Sequence, residues 1–347
     1  MKDTKYYDPT KLLSMVDLDG KKPEIYMVTT NKTGGKTTAF SRILVKRFLR
    51  KREKFMLVYR FSYELDNCAN KFFDDIQHLF FSDYTMESIP CSHGLYHKLM
   101  LNGENCGYAV ALNTADKLKT CSHVFSDTAT MFLDEFQSET NRYCSKEIIK
   151  FHTLHTAVAR GRGEHVRYVP IYMCANPVTM LNPYYTAFNV TERLDNKTKY
   201  LKGHGWVLEQ GYVESAGNAQ LNSSFNAAFK NTRVLAYAAS GIYLNDSLAF
   251  IDRPVGKSRY LCTLKYEGQN YAVREYTTLG VIYVDTSCDL SFPHKLSVTT
   301  YDHDINYVML KRYSQLINIF RIYFDRGCFR FKNASAKNAL MYAIAYR

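Results

Sequence analysis

Long apolar runs are missing from these 347 residues: no stretch of 18 apolar residues occurs, so no membrane-spanning helix is expected. The amino terminus, Met1-Lys2-Asp3-Thr4-Lys5, also lacks the apolar core of a secretory leader. No C-x-x-C pair is present. The nine cysteines (Cys68, Cys91, Cys106, Cys121, Cys144, Cys174, Cys262, Cys288 and Cys328) are scattered and odd in number. That pattern favours free thiols in a reducing cytosol over a disulfide framework or a structural zinc site. His152 and His155 stand three apart on an expected helix, but no carboxylate or thiol joins them locally to complete a metal site. Acidic residues are few, 33 Asp+Glu against 45 Lys+Arg, for a net charge of +12. Such an excess points to a polyanionic partner, because counterion release rewards basic surfaces on nucleic acid; a membrane surface would accept the same charge.

One further absence falls inside a motif. The phosphate-binding loop pattern G-x-x-x-x-G-K-[ST] is matched by Thr30-Asn31-Lys32-Thr33-Gly34-Gly35-Lys36-Thr37 except that its first glycine is Thr30. Ile25-Tyr26-Met27-Val28 upstream is a β-prone apolar run, and Phe40, Ile43, Leu44 and Phe48 downstream recur at helical spacing. Backbone N–H groups must curl around a phosphate at a helix N-terminus, which demands residues without bulk at the tightest points, here Gly34 and Gly35. Lys36 would reach the β- and γ-phosphates, and the Thr37 hydroxyl would complete the shell of a Mg²⁺ ion. A polar turn with a chance G-K-[ST] is the competing reading. A second element weighs against it. Ala129-Thr130-Met131-Phe132-Leu133-Asp134-Glu135 is an apolar strand ending in two carboxylates, the form in which Asp134 holds Mg²⁺ and Glu135 polarises the attacking water.

Strands and helices alternate through the amino-terminal two-thirds, which implies a mainly parallel sheet covered on both faces. A strand is expected at Phe55-Met56-Leu57-Val58-Tyr59, preceded by a basic run from Lys46 to Lys54 that reads as a solvated helix end. Leu99 to Leu112 reads as a hairpin turning at Asn102-Gly103. Ser145 is the expected N-cap of a helix reaching Ala159 with Ile148, Phe151, Leu154 and Val158 inward. Val166 to Cys174 is the next strand. Between them, Arg160-Gly161-Arg162-Gly163 is a loosened basic loop. Its arginines either reach into a neighbouring subunit's site or simply face solvent or DNA.

From about Gly211 the composition shifts to Ala, Asn and Ser, and Ser215 to Ala239 reads as a small helical connector anchored by Leu221, Phe225, Phe229 and Leu235. A further unit begins near Asp246. Its expected strands are Tyr260 to Tyr266, Tyr271 to Glu275 and Val281 to Asp285, then a helix from Ile305 to Phe324, a strand at Cys328 to Phe331 and a helix capped by Ser335. Three meandering strands before a helix is how an RNase H-like domain starts. The first strand has no carboxylate, and only Asp285 and Asp289 lie near a strand end, so no two-metal nuclease activity is expected. From Asp246 onward there are 14 Lys+Arg and 9 Asp+Glu, a net +5 that favours binding nucleic acid over a neutral scaffold.

These segments together resemble the DNA-packaging ATPases of the phi-twenty-nine-like small short-tailed phages, over nearly the whole chain. The resemblance is carried by Tyr6-Tyr7-Asp8-Pro9-x-Lys11-Leu12-Leu13, the phosphate loop, and Met131-Phe132-Leu133-Asp134-Glu135-Phe136. It continues through Ala175-Asn176, Asn182-Pro183-Tyr184-Tyr185-x-x-Phe188-Asn189, Leu244-Asn245-Asp246-Ser247 and Ile282-Tyr283-Val284-Asp285-Thr286. What it implies is a ring motor of five subunits at the portal of an empty procapsid, driving double-stranded DNA inward with ATP and Mg²⁺. Such a motor works in the host cytoplasm, sits transiently on the portal vertex and leaves the mature virion; a packaging RNA can bridge ring and portal, and no membrane is involved.

The implied architecture is α/β: an ASCE-type P-loop ATPase domain over residues 1–210, a helical linker domain over 211–245 and a vestigial, nuclease-inactive RNase H-like α+β domain over 246–347. By position, the nucleotide would be held by Asn31, Lys32, Thr33, Gly34, Gly35, Lys36, Thr37 and Thr38, with Asn176 as a sensor at the end of the fourth strand and Lys119 acting across the interface. Mg²⁺ falls to Thr37 and Asp134, and catalysis to Glu135, Lys36 and a trans-acting Arg160, with Arg162 as its near neighbour. Thr30 and an insertion around Gly161 to Arg167 are the departures from the family pattern. Two other readings remain at this stage: another nucleic-acid ring ATPase, such as a helicase or replication factor, and a non-hydrolysing basic scaffold that keeps a relic loop.

Overall fold

The computed structural model describes residues 5–140, 142–161, 163, 165–190, 193–194, 198–244 and 249–345. The chain divides into two compact units, Met1–Val178 with Lys197–Leu244, and Thr179–Asn196 with Asn245–Arg347.

The first unit is built on a nine-stranded sheet. In chain order its strands are β1 (Ile25–Thr29), β2 (Lys54–Tyr59), β3 (Met86–Cys91), β4 (Tyr96–Leu101), β5 (Glu104–Ala111), β6 (Thr128–Asp134), β7 (Ile171–Ala175), β8 (Tyr200–Lys202) and β9 (Trp206–Gln210). Its longer helices are α1 (Lys36–Lys51), α2 (Ser62–Phe80), α3 (Glu147–Ala159), α4 (Glu214–Leu221) and α5 (Arg233–Ser240). The sheet order is β3-β4-β5-β2-β6-β7-β1-β9-β8. Every pairing from β5 across to β9 is parallel, while β3, β4 and β8 add antiparallel edges. β1, β2, β6 and β7 are buried along nearly their whole length, as parallel strands covered on both faces must be. β7 lies between the loop-bearing β1 and the carboxylate-bearing β6, the arrangement expected of an ASCE-type domain. The β4–β5 hairpin turns at Asn102 and Gly103, whose φ of 48° and 76° are those of a type I′ turn.

α1 is seated by Phe40, a fully buried ring within 5.2–6.2 Å of Tyr7, Phe132 and Tyr172. Burying such a ring contributes about 1.5–3 kcal/mol, which anchors the helix whose first turn follows the phosphate loop.

Several local expectations shift. α3 starts at Glu147 with Lys146, not Ser145, at its N-cap in a left-handed conformation (φ 56°) and without a side-chain cap. The Glu147 carboxylate accepts from the Cys144 N–H instead. The strand expected from Val166 begins only at Ile171, because Pro170 has no N–H to give a ladder and Arg167 closes the preceding loop. Arg167 donates its backbone N–H to Ala159 and its guanidinium to the Val158 and Thr128 carbonyls. Residues 211–244, expected as a separate linker, cluster with this unit. Leu235 is buried there, but Leu221 and Phe225 are 53% and 74% exposed; Phe225 meets the Phe229 ring at 5.3 Å between centroids, and neither contributes to the core.

The second unit has a six-stranded sheet: β10 (Arg259–Tyr266), β11 (Gln269–Tyr276), β12 (Val281–Asp285), β13 (Lys295–Ser297), β14 (Val308–Met309) and β15 (Phe329–Phe331), in the order β14-β13-β10-β11-β12-β15. An antiparallel β10–β11–β12 meander is flanked by parallel strands, the expected RNase H-like beginning. Helices α6 (Ser314–Asp325) and α7 (Ala334–Ala345) close a core containing Leu264, Val284, Phe320 and Leu340. The helix expected from Ile305 starts nine residues later. Asp304 is held by the Lys265 ammonium and the Asn306 N–H, and Val308–Met309 is drawn into the sheet beside β13. α7 is capped by Asn333, whose side chain accepts from the Ala336 N–H; Ser335 is instead hydrogen-bonded to Tyr271. Asp285 is buried, with Arg253 and Arg274 each 3.8 Å away. Among the described residues no three His, Cys, Asp or Glu side chains cluster as metal ligands.

Candidate active site

The loop between β1 and α1 owes its shape to specific residues. Gly35 caps α1 at φ 79°, where side chains are disfavoured, and a Cβ there would lie 2.8 Å from the Tyr6 ring. Thr30 is not among the left-handed residues; Thr33 is, at φ 59°. The position of the missing glycine therefore needs no glycine. Its hydroxyl has a use of its own, accepting a hydrogen bond from Lys36 Nζ at 3.0 Å. The amino-terminal segment braces the loop from outside, with the Tyr7 N–H donating to the Gly34 carbonyl.

Lys36 is 7% exposed. Its ammonium donates to the Thr30 and Asn31 carbonyls, to the Thr30 hydroxyl and to Asn176 Oδ1, at 3.0–3.4 Å. Burial holds its pKa below the ordinary lysine value, against the opposing pull of Cys174, Asp134 and Glu135. The following residue, Thr37, donates its hydroxyl to Asp134 Oδ2 at 2.8 Å. The other carboxylate oxygen, Oδ1, accepts from the Cys174 thiol at 2.8 Å and from the Glu135 N–H at 2.9 Å. Asp134 is paired in register with Cys174 across β6 and β7, so the thiol contact follows from the sheet itself.

Glu135 leaves β6 at φ 52°. Withdrawal from water raises its carboxyl above the ordinary glutamate value, and the neighbouring charges of Asp134 and Glu139 add to this. Arg60, at the end of β2, braces this turn: its Nη2 donates to the carbonyls of Glu135 and Phe136 at 2.9 Å, and its Nε to Glu147 at 3.1 Å. Both members of the Arg60–Glu147 pair are buried.

A cavity of about 300 Å³ is lined by residues 33–38 together with Tyr6, Asp134, Glu135 and Asn176. A second, of about 320 Å³, shares Glu135 and Asn176 and adds Lys32, Arg60 and Glu139. Of the residues singled out in the sequence, Thr33, Gly34, Gly35, Lys36, Thr37, Thr38, Asp134, Glu135 and Asn176 thus meet at one place. Asn31 does not turn toward it. Its side chain donates to the Val213 and Ala239 carbonyls and accepts from the Val213 N–H, tying the loop to residues 211–244. Lys32 pairs with Glu139 at 2.9 Å. Lys119 opens the 3₁₀ turn Lys119–Phe125, and Arg160 follows α3; both are exposed, and neither lines these cavities. Arg162 lies outside the described residues.

Four contributors escaped sequence reasoning: Arg60, Glu139, Cys174 and Tyr6. Cys174 and Tyr6 lie within segments already singled out, though nothing in those segments gives either a role at the site. Arg60 and Glu139 carry no local signature, since only the folded sheet brings them to Glu135 and Asn176.

The family model described as podovirus DNA encapsidation protein (Gp16) matches residues 1–346. The DNA packaging proteins of Bacillus phages phi29 and PZA are each 24% identical over 342 residues, covering 96% of this chain and 95% of theirs. That of Bacillus phage B103 is 22% identical over 316 residues, 90% of this chain and 92% of its own. Among solved structures, the bacteriophage Phi-29 viral genome packaging motor assembly aligns with a TM-score of 0.65 at 22% identity, over 99% of this chain and 98% of that one. The Phi-28 gp11 DNA packaging motor aligns at 0.57 and 15% identity, with the same coverage. These structural likenesses establish the fold.

Breaking the buried pair tests the brace. Arg60→Met is expected to cost about 3–5 kcal/mol of unfolding free energy, because it strands the Glu147 carboxylate. Adding Glu147→Met should recover most of that loss, as read by urea denaturation; equal stability of the single and double variants would show that the pair is not what Arg60 supplies.

Proposed function

This chain belongs to the podovirus DNA encapsidation proteins (Gp16), and on that premise we propose that it drives viral DNA into a procapsid by hydrolysing ATP at the loop cavity. The observation that carries the reading is the convergence of Lys36, Thr37, Asp134, Glu135 and Asn176 at one cavity behind a helix N-terminus.

The loop N–H groups and the α1 dipole favour a triphosphate there. Lys36 exchanges its neutral acceptors for phosphate oxygens, and Asn176 reads the change because it loses its bond to Lys36 Nζ. Thr37 Oγ1 and Asp134 Oδ2 are two hard oxygen donors, a set suited to Mg²⁺, which keeps its remaining positions for water and phosphate. When bound, Mg²⁺ neutralises charge on the phosphoryl group. Glu135 polarises the attacking water, its carboxylate aimed by the Arg60 brace. Arg160 acts in trans: it is exposed on a loop closed at its base by Arg167 and absent from its own chain's cavity. Lys119, also exposed, is assigned to the same interface.

A trans-acting residue requires a ring of copies, which we take as five, mounted on the portal with double-stranded DNA as substrate and a packaging RNA as a candidate bridge. The working division is an ATPase part over 1–210, a connector over 211–245 and a DNA-binding, non-cutting part over 246–347. Among the described residues no helix is long and apolar enough to cross a membrane. The host cytoplasm and, transiently, the portal vertex are the proposed locations.

Glu135→Gln should retain nucleotide binding and abolish phosphate release; unchanged turnover in purified rings would refute the role of Glu135. A base with a raised pKa is lost on acidification sooner than a free glutamate, so the acid limb of kcat should lie above the ordinary carboxylate range. Glu139→Gln removes one of the charges that raise it. The limb should move to lower pH, and a limb that stays put or rises contradicts the assignment.

Arg160→Ala should be inactive alone yet partly rescued on mixing with Lys36→Ala subunits, because a mixed ring forms some intact junctions. Phosphate release that never exceeds either variant alone would place the arginine in cis.

A further inference from the structure

The bonds around Glu139 form a chain that the nucleotide reading does not use. Glu139 follows β6 and Glu135, and its carboxylate is reached from three directions. It accepts from Lys32 Nζ on the phosphate loop, from Asn176 Nδ2 at the end of β7 and from the Tyr237 hydroxyl on α5. The Tyr237 bond is the shortest at 2.6 Å and the Asn176 bond the longest at 3.3 Å. Asn176 in turn offers its Oδ1 to Lys36 Nζ. Lys32 lies over the Tyr237 ring, 5.0 Å from its centroid. A continuous path Lys36–Asn176–Glu139–Tyr237 therefore joins the lysine of the loop to a helix of residues 211–244.

Charge decides what a triphosphate does to this path. Three of the four acceptors of Lys36 belong to its own loop; Asn176 is the one that does not, and phosphate oxygens compete for the same ammonium. Lys32 is drawn to the phosphates for the same reason, and the Glu139 carboxylate is repelled by them. Lys32 is thereby withdrawn from Glu139, Asn176 is left without the Lys36 bond that fixes its amide, and the carboxylate is pushed from the position in which it meets Tyr237. The links from the Asn31 side-chain amide to Val213 and Ala239, and from the Lys32 backbone N–H to Ala238, involve neutral groups and persist. α5 is thus held to the loop by one constant attachment and one that is sensitive to charge.

We propose that Glu139 is a positioning residue that reports occupation of the phosphate site to α5 through Tyr237, and that this bond is given up when a nucleoside triphosphate binds. The proposal deepens the ATP-site reading and rests on it. Because the resting bond opposes binding, its removal favours the occupied state, by the reciprocity of coupled sites.

The test uses the full chain with Mg²⁺ and a non-hydrolysable ATP analogue, measuring the Kd together with amide hydrogen exchange over residues 233–240. In the wild-type chain the analogue should raise exchange in α5 several-fold. In Tyr237→Phe that exchange should already be high without nucleotide and unresponsive to it, and the Kd should fall about fivefold. Val234→Ala, a change at an exposed position of the same helix, should keep the wild-type response. A tyrosine that only stabilised α5 would raise its basal exchange but leave the response to nucleotide and the Kd intact, and that result overturns the proposal. So does a wild-type α5 unmoved by bound analogue. If the wild-type chain binds no analogue, the ATP-site reading falls first and this inference with it.

Discussion

An ammonium group buried among neutral oxygens is the constraint around which the proposed nucleotide site is arranged. Lys36 is held by carbonyl, hydroxyl and amide acceptors, and Asp134 and Glu135 act on it only at longer range. Burial works against the charge, so the site is short of a negative group rather than complete. A phosphate oxygen at ~4 Å would be worth on the order of 4 kcal/mol at an effective dielectric of ~20, enough to outweigh any single neutral acceptor. The loop conformation, the Tyr6 wall and the Asn31 attachment all keep that ammonium where an anion can reach it.

The sheet makes this possible by levelling three strand ends. β7 pairs with β1 so that Thr29 faces Ala175, and with β6 so that Asp134 faces Cys174. The loop lysine, the paired carboxylates and Asn176 then emerge side by side. A four-residue shift of β6 would carry its carboxylate about 13 Å along the strand and leave Thr37 without a partner. The buried Phe40 cluster and the Arg60–Glu147 pair hold α1 and the end of β6 to that register.

What the sequence disclosed tracks how local each signal is. The phosphate loop and the Asp134-Glu135 strand end are legible because consecutive residues build them, and the Asn102-Gly103 turn because two left-handed residues in succession suit few other structures. Thr30 reads as a defect in the pattern but is none, since its backbone is not left-handed and its hydroxyl serves Lys36. Arg60 and Glu139 were not legible: one sits 75 residues before Glu135 and meets it only through strand order, the other is one acid among many until β7 and α5 fold beside it. Two of the misplaced helix starts, at Ser145 and Ser335, have one cause, that a serine in a suitable place competes with neighbours sequence cannot rank. Lys146 takes a left-handed turn that lets Glu147 bond Cys144, and Asn333 outcompetes Ser335 because Tyr271 claims the serine hydroxyl. The helix expected from Ile305 failed because pairing with β13 outweighed helical periodicity over two residues.

Glu135 stands where a non-glycine residue is held at φ 52°, at a conformational cost of about 1–2 kcal/mol. A glycine there would relax the backbone and relieve the crowding of negative charge beside Asp134. Selection for stability alone would therefore drift away from the carboxylate, and on the proposed role of Glu135 selection for turnover would hold it. The position is a point of trade-off between stability and activity, so a variant library sorted for thermal resistance should be depleted of glutamate where a library sorted for packaging is not.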